Sequence, residues 1–363
     1  MRLVDLRSTT APPRLEVVVQ ASAAAELLRL IGVLYNDDPD GFDVGRERIE
    51  AIRAHLPEEL DRDIDALRFA DDGKDFLILA LLAATLPDPS GVGELLTALE
   101  EDPALSWRLL VGQEAQGLDA VDPEFGIALL AGDREAYARL ERLVADGRDD
   151  EKSIRQLTRL LDMDPEDHGR RLAGVIERFD VAVWRSLEEE AMGPIRRDAA
   201  HHHERLAAGE DPTTVIVEAT NGYEPPDDVG LRRIVLLPSY WMRPWLVVGR
   251  HGPDLEVIST VVGDEFLVLP SEAPPPALVK LAKALSDESR LRLLRRMASG
   301  PISLTEATAA LDVTKATAHH HLSILRQAGL VSMRGTGRST RYALRNNPAD
   351  AARDALADYC CRP

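Results

Sequence analysis

Residues 303–345 read SLTEATAALDVTKATAHHHLSILRQAGLVSMRGTGRSTRYALR, and the order of signals within them decides the local fold. Ser303 is suited to cap a helix over LTEATAALD, with Thr305 and Glu306 early in it. A short turn through Asp312 and Val313 leads to Thr314, a second good N-cap. The helix KATAHHHLSILRQAG follows and ends at Gly329, a residue fitted to the left-handed conformation just beyond a helix. At 1.5 Å per residue it is roughly 22 Å long. Ala318, His321, Leu322 and Leu325 share one face and must pack inward, which turns Lys315, Ala316, Thr317, His319 and His320 outward near the helix start. Small Ala309 lets the two helices cross closely. After Gly329 the chain reads as a hairpin: strands LVSMR and RYAL joined through the glycine-rich GTGR, carrying Arg334, Arg338 and Arg341.

Upstream, ALVKLAKAL places Leu278, Leu281, Ala282 and Leu285 on one helical face. Ser286 or Asp287 caps the next helix, ESRLRLLRRMAS, which Gly300-Pro301 stops. Residues 277–345 are thus expected to form a winged helix-turn-helix. The DNA major groove admits one helix, whose first residues reach base edges, while a projecting hairpin meets phosphates or the minor groove. Lys315, Ala316, Thr317, His319 and His320 are the candidate base readers; Thr314, Arg334, Arg338 and Arg341 are the candidate backbone contacts. Charge supports this. The chain's net charge of −19 is wrong for a DNA binder until it is divided. Residues 277–345 hold twelve Lys and Arg against four Asp and Glu, a net of +8, whereas residues 1–276 carry −26.

LAKALSDESRLRLLRRMASG, SLTEATAALDVTKATAHHHLSILRQAGLV and above all HHHLSILRQAGLV resemble the ArsR-type winged helix over about 70 residues, under a fifth of the chain. The resemblance implies a homodimeric transcription regulator, usually a repressor, that binds a palindromic operator and often answers to a metal or another small effector. Thiolate-sensing members carry Cys-x-Cys on the helix before the recognition helix; the corresponding ISLTEATAAL has no Cys, so the resemblance does not extend to that metal site. The front portion resembles an uncharacterised domain that precedes such winged helices in actinobacterial regulators, a likeness that implies no activity.

The expected architecture is mainly α, α+β: an N-terminal sensor or dimerisation domain over 1–269, a Pro-rich linker at 270–276 (PSEAPPP), the winged helix at 277–345 and a C-terminal helix or tail at 346–363. Within the front domain, 22–208 read as successive helices. Ser22 is placed to cap AAAELLRLIGVLY, KDFLILALLAATL is apolar nearly all round, and Asp-Pro pairs recur at 88, 102, 122, 164 and 211 as helix punctuation. Residues 213–269 read as β-rich, with strands expected at TTVIVEA, LRRIVLLPS, PWLVVGRH and LEVISTVV and a hairpin turn at GRHGPDLE; RLEVVVQ near the N-terminus could add another strand.

Other constellations are weaker. Three successive histidines point about 100° apart and cannot chelate one ion together, so His319, His320 and His321 read as one packed and two DNA-facing side chains. In DAAHHHERL, Asp198 and His202 lie four residues apart and could offer two metal ligands, but the expected reading is a solvated polar helix face. Tyr223, Tyr240, Trp241 and Trp245 cluster with Arg243 in a chain that is only 4% aromatic; they could line an effector pocket, or pack the sheet on the helices or a subunit interface. The only cysteines, Cys360 and Cys361, are adjacent in the tail and expected to be exposed; they build no disulfide framework, which predicts a reducing cytoplasm. The longest apolar run, Phe76 to Leu86, is too short to span a membrane, and no secretory leader is read at the N-terminus. No G-x-S-x-G, P-loop, H-E-x-x-H or nucleotide fingerprint is found, so neither an enzyme nor a bound cofactor or metal is expected. The rival readings are a front domain that is an enzyme or ligand carrier with an appended winged helix, and a winged helix that binds protein. The favoured one is a nucleoid-associated homodimer on double-stranded DNA with a small-molecule effector.

Overall fold

The computed structural model describes residues 15–345 apart from 71–72, 88–89, 117, 119–122, 147–150, 226–229, 252–253, 268–273 and 336–339, together with 350, 353, 356, 357, 359 and 360. The body of the molecule starts with strand β1 (Glu16–Val19) and helix α1 (Ala23–Leu34). Then follow α2 (Arg46–Arg53), α3 (Glu58–Leu67), α4 (Lys74–Leu79), α5 (Val92–Glu101), α6 (Leu105–Ala115), α7 (Pro123–Leu130), α8 (Arg134–Asp146), α9 (Glu151–Leu161), α10 (Pro165–Phe179), α11 (Arg185–Ala207) and α12 (Pro212–Ala219). Ser22 does cap α1, accepting from the Ala25 amide at 3.0 Å. The apolar run after Lys74 is buried as expected, although α4 tightens into a 3-10 segment over Ala80–Thr85. Asp164 and Asp211 both cap the helices that open on the next proline.

The last of these helices corrects the sequence reading. TTVIVEA is not a strand. Its β-branched residues lie in α12, where Asp211 accepts from the Thr214 amide at 3.0 Å and Pro212 occupies the first turn. Start signals and the burial of Val215 and Ile216 outweigh the weak strand preference of single residues.

The expected strands on either side of it do form. β3 (Arg233–Ser239), β4 (Val247–Arg250) and β5 (Leu255–Val261) join β1 in the order β1-β3-β5-β4; β1, β3 and β5 run parallel and β4 pairs antiparallel with β5. Period-2 alternation divides β3 between two cores. Val235 and Leu237 enter the large helical core with α1, while Ile234 and Leu236 enter a smaller one with Val19, Ile216 and Tyr223. Each fully buried Leu or Ile adds about 1.5–3 kcal/mol.

The C-terminal module comprises α13 (Pro276–Leu285), α14 (Glu288–Met297), α15 (Leu304–Leu311), α16 (Lys315–Gln327), β6 (Val331–Arg334) and β7 (Arg341–Leu344). Asp287, Ser303 and Thr314 cap α14, α15 and α16, and Ser303 with Glu306 closes a reciprocal capping box. Gly329 takes φ 70° just past α16. Leu281, Leu293, Met297, Leu322, Leu325 and Tyr342 form a core separate from those of the body. The hairpin gains a strand that the sequence did not suggest: β2 (Tyr223–Glu224), from the body, pairs in parallel with β6. Gly222 makes that approach feasible, since it sits at φ 103° and a Cβ there would lie 3.2 Å from the Val331 carbonyl oxygen. Among the described residues no helix is long and apolar enough to cross a membrane.

Candidate nucleic-acid interface and its cover

The start of α16 is built as a reading end. Thr314 accepts from the Thr317 amide at 3.2 Å, and the two hydroxyls lie 2.9 Å apart, so both threonine side chains order the first turn. Lys315 and Thr317 are exposed. Ala318, Leu322 and Leu325 are fully buried, which fixes the helix's rotation. His321 packs inward with its Nδ1 3.9 Å from Asp287 Oδ1, while His319 is exposed and His320 half-buried. On the hairpin, Arg334 and Arg341 face each other across the β6–β7 ladder, and both are exposed. Two exposed guanidinium groups on one hairpin are side chains suited to phosphate contacts. Arg338 lies outside the described residues, as does any account of the Ala316 side chain.

The +8 of the module is not all surface charge. Arg326 is buried, donates to the Thr220 carbonyl at 2.5 Å, and burial lowers its pKa to about 10. Arg290 donates to the Ala284 and Lys283 carbonyls. Arg345 reaches Asn221 at 3.0 Å. Lys280 reaches Asp264 at 3.0 Å. A charge count cannot distinguish these from cations that face solvent.

The outward face of α16 is not clear of the body. The Trp245 ring stacks against His319 at 6.4 Å between centroids and lies 6.2 Å from His320. Asn221 donates to the Gln327 carbonyl at 2.6 Å. Between the two regions lies a cavity of about 1290 Å³, with His320, Ile324 and Gln327 in one wall and Tyr240, Arg243 and Trp245 in another.

The structure divides the candidate effector residues accordingly. Tyr240, Arg243 and Trp245 line this one cavity; Tyr223 and Trp241 do not, and are corrected to core residues. Tyr223 is fully buried in the smaller core and donates to Glu256 at 2.9 Å. Trp241 is fully buried in the larger core. Trp241 is held inward where Glu26 of α1, itself fully buried, accepts from the Tyr240 and Trp241 amides at 2.7 Å each, whereas Trp245 is half-buried and donates to the Gly41 carbonyl at 2.9 Å. Arg29 pairs with Glu26 at 3.2 Å and donates to Leu237, Pro238 and Ser259. Sequence reading missed this pair, since a Glu and an Arg one turn apart normally mark a solvent face.

A second missed network crosses the boundary. Arg243 is ion-paired with Asp264 and, at 3.3 Å, with Asp43, and Lys280 of the module joins both carboxylates. Burial pushes the Asp264 carboxyl up, but Lys280 and Arg243 outweigh it and hold the group below its usual range.

The DAAHHHERL stretch also departs from expectation. Asp198 and His202 are buried rather than solvated, with Asp198 Oδ2 3.7 Å from His202 Nε2 and Oδ1 accepting from the Gly263 amide at 2.9 Å. Burial pushes Asp198 up to about 7 and His202 down to about 4. α11 packs this face onto the body where a lone sequence shows only a polar helix. Among the described residues no group of three or more His, Cys, Asp or Glu could hold a metal. Cys360 is exposed, as expected, and Cys361 lies outside the described residues.

Comparison with known proteins supports the reading of the module. The helix-turn-helix domain family matches residues 285–334. The biofilm growth-associated repressor of Agrobacterium fabrum is 33% identical over 99 residues, which are 25% of this chain and 85% of that protein. The HTH-type transcriptional regulator CmtR of Mycobacterium bovis is 38% identical over 77 residues, 21% of this chain and 65% of that protein. A solved structure described as an ArsR family transcriptional regulator, RHA00566, is 26% identical and covers 23% of this chain and 90% of that one. Its TM-score is 0.21, and so small a share of this chain does not bear on the fold of the rest.

Proposed function

This chain belongs, through its C-terminal module, to the ArsR-type winged helix-turn-helix regulators, and from that premise we propose that it is a sequence-specific, DNA-binding transcriptional repressor whose larger N-terminal region senses an effector. The observation that carries the reading is the exposed, capped start of α16 beside the opposed Arg334 and Arg341. Lys315, Ala316, Thr317, His319 and His320 read base edges; Thr314, Arg334, Arg338 and Arg341 hold the phosphate backbone. The chain acts as a homodimer on a palindromic operator, in the cytoplasm with the nucleoid, and its two recognition helices enter half-sites about 10 bp apart, centre to centre. Leu356 and Tyr359 of the tail, one turn apart and each about half exposed, are the apolar contacts that support pairing.

Residues 1–269 are the sensing part and 277–345 the reading part, and they are coupled because Trp245 stands at His319 and His320. Reading therefore needs the body to swing away, a two-state equilibrium that any ligand with unequal affinity for the two states will shift. The test is selection of genomic DNA fragments by the full chain, followed by footprinting and a salt series. The reading requires a protected palindrome and an affinity that falls steeply with salt; retention of no fragment even at low salt contradicts it.

A further inference from the structure

We propose that the cavity between body and recognition helix is the effector site, that it takes an organic anion with an aromatic or otherwise apolar body, and that this ligand and DNA exclude one another. The inference rests on the regulator reading above for its second half only. At about 1290 Å³ the cavity exceeds the few hundred to a thousand Å³ of ordinary ligand pockets, so a large ligand fits. Its apolar surfaces come from both sides: Tyr240, Pro244 and Trp245 from the body, Val279 and Ile324 from the module.

The charge of the ligand follows from the pairing of the walls. Every carboxylate that lines the cavity is engaged. Asp40 pairs with Arg46 at 2.7 Å, Asp43 with Arg243 at 3.3 Å, Glu189 with Arg196 at 3.0 Å and Glu190 with Arg48 at 3.0 Å. Two lining cations are not so engaged. Lys283 of α13 and Arg197 of α11 are exposed and have no acidic partner among the described residues; Arg197 donates only to the Phe266 carbonyl, at 2.8 Å. The uncompensated charge is therefore positive, and it is divided between module and body. A carboxylate or sulfonate held by both cations, with its apolar part against Trp245, ties the two regions together. His320, Ile324 and Gln327, in the opposite wall, belong to the outward face of α16. A ligand seated there holds the recognition helix against the body, and by linkage DNA must weaken that ligand as much as the ligand weakens DNA. The effector is thus an inducer that releases the operator.

The experiment titrates the full chain with 8-anilinonaphthalene-1-sulfonate, an aromatic anion, and with its uncharged analogue N-phenyl-1-naphthylamine. The expected result is one saturable sulfonate site per chain, weakened about tenfold or more in the Lys283→Gln, Arg197→Gln double variant, as expected for lost charge-assisted contacts. The uncharged dye should bind the parent and the variant alike. A selected DNA fragment should displace the sulfonate. Both substituted residues are exposed, so the variant keeps its fold, which its melting curve verifies. Equal binding of the sulfonate by parent and variant overturns the anion site. Undiminished dye signal at saturating DNA overturns the exclusion. DNA retention without dye binding sinks this inference alone, whereas dye binding by a chain that retains no DNA sinks the regulator reading and leaves the anion site standing.

Discussion

The module and the body use charge in opposite ways. In the module, cations at the start of α16 and on the hairpin are left facing solvent, at the cost of placing Arg334 opposite Arg341. In the body, titratable groups are drawn inside: Glu26 and Arg29 are wholly buried, and Asp198 and His202 nearly so. A surface that meets a polyanion can present cations side by side, because the phosphates it meets add counter-charge there. A buried charge has no such prospect and must be met within the fold, as Glu26 is by two backbone amides and a guanidinium. Where the two regions meet, both habits appear together. Lys280 is met by Asp264, while Lys283, one turn further along the same helix, is left open to the cavity.

The contrast can be broken at several points. Leu322→Ala removes a fully buried side chain from the module's own core and should cost about 2–5 kcal/mol there. The expected outcome is a lowered unfolding transition with lost DNA retention, while tryptophan signals from the body persist. A single transition in which everything unfolds together would show that the two cores are not independent.

Asp198→Asn tests the buried charges of the body. The folded carboxyl is pushed up to about 7 by burial, well above its value in an unfolded chain. A group raised in this way gives stability that is fully present below the unfolded pKa and is lost as pH rises through the folded one. Asn carries no such dependence. Between pH 5 and pH 8 the variant should therefore gain roughly 1–3 kcal/mol of stability on the parent, since a tenfold difference in proton affinity between folded and unfolded chain is worth about 1.4 kcal/mol. His202, lowered to about 4, contributes the opposite slope below its usual value, but does so in both proteins. Melting curves across that pH range decide the matter, and parallel profiles would refute the burial argument.

Arg341→Ala on the hairpin should weaken binding to all fragments alike and make the slope of log affinity against log salt shallower by about 1. Loss of preference among fragments, with the slope unchanged, would instead make Arg341 a base reader. The smallest effect is expected at Asp211→Ala, which removes one helix cap and should cost about 1 kcal/mol in thermal denaturation.

The Asp211 cap also marks how far the sequence could be read. The module was legible almost residue by residue because its signals are local: Ser303, Thr314 and Gly329 bound its helices, and Ala318, Leu322 and Leu325 set the inward face. TTVIVEA misleads because its β-branched composition outweighs, to the eye, the Asp-Pro start immediately before it. What stayed illegible depends on contacts between distant residues. Nothing near Glu26 says that the amides of Tyr240 and Trp241 will close on it, and nothing near Trp245 says that it will meet His319. Three of the five aromatic-cluster residues reached a common cavity, whereas Trp241 and Tyr223 went to the cores, held there by the remote Glu26 and Glu256.

The central claim is that Trp245, by standing against His319 and His320, hinders the approach of DNA to the reading face of α16. It is tested most directly by measuring the affinity of the Trp245→Ala chain for one selected operator fragment at a fixed salt concentration without added ligand. Removing the cover raises the fraction of molecules able to bind, so affinity should tighten by about threefold or more. An unchanged or weaker affinity, in a variant that melts like the parent, would contradict the account.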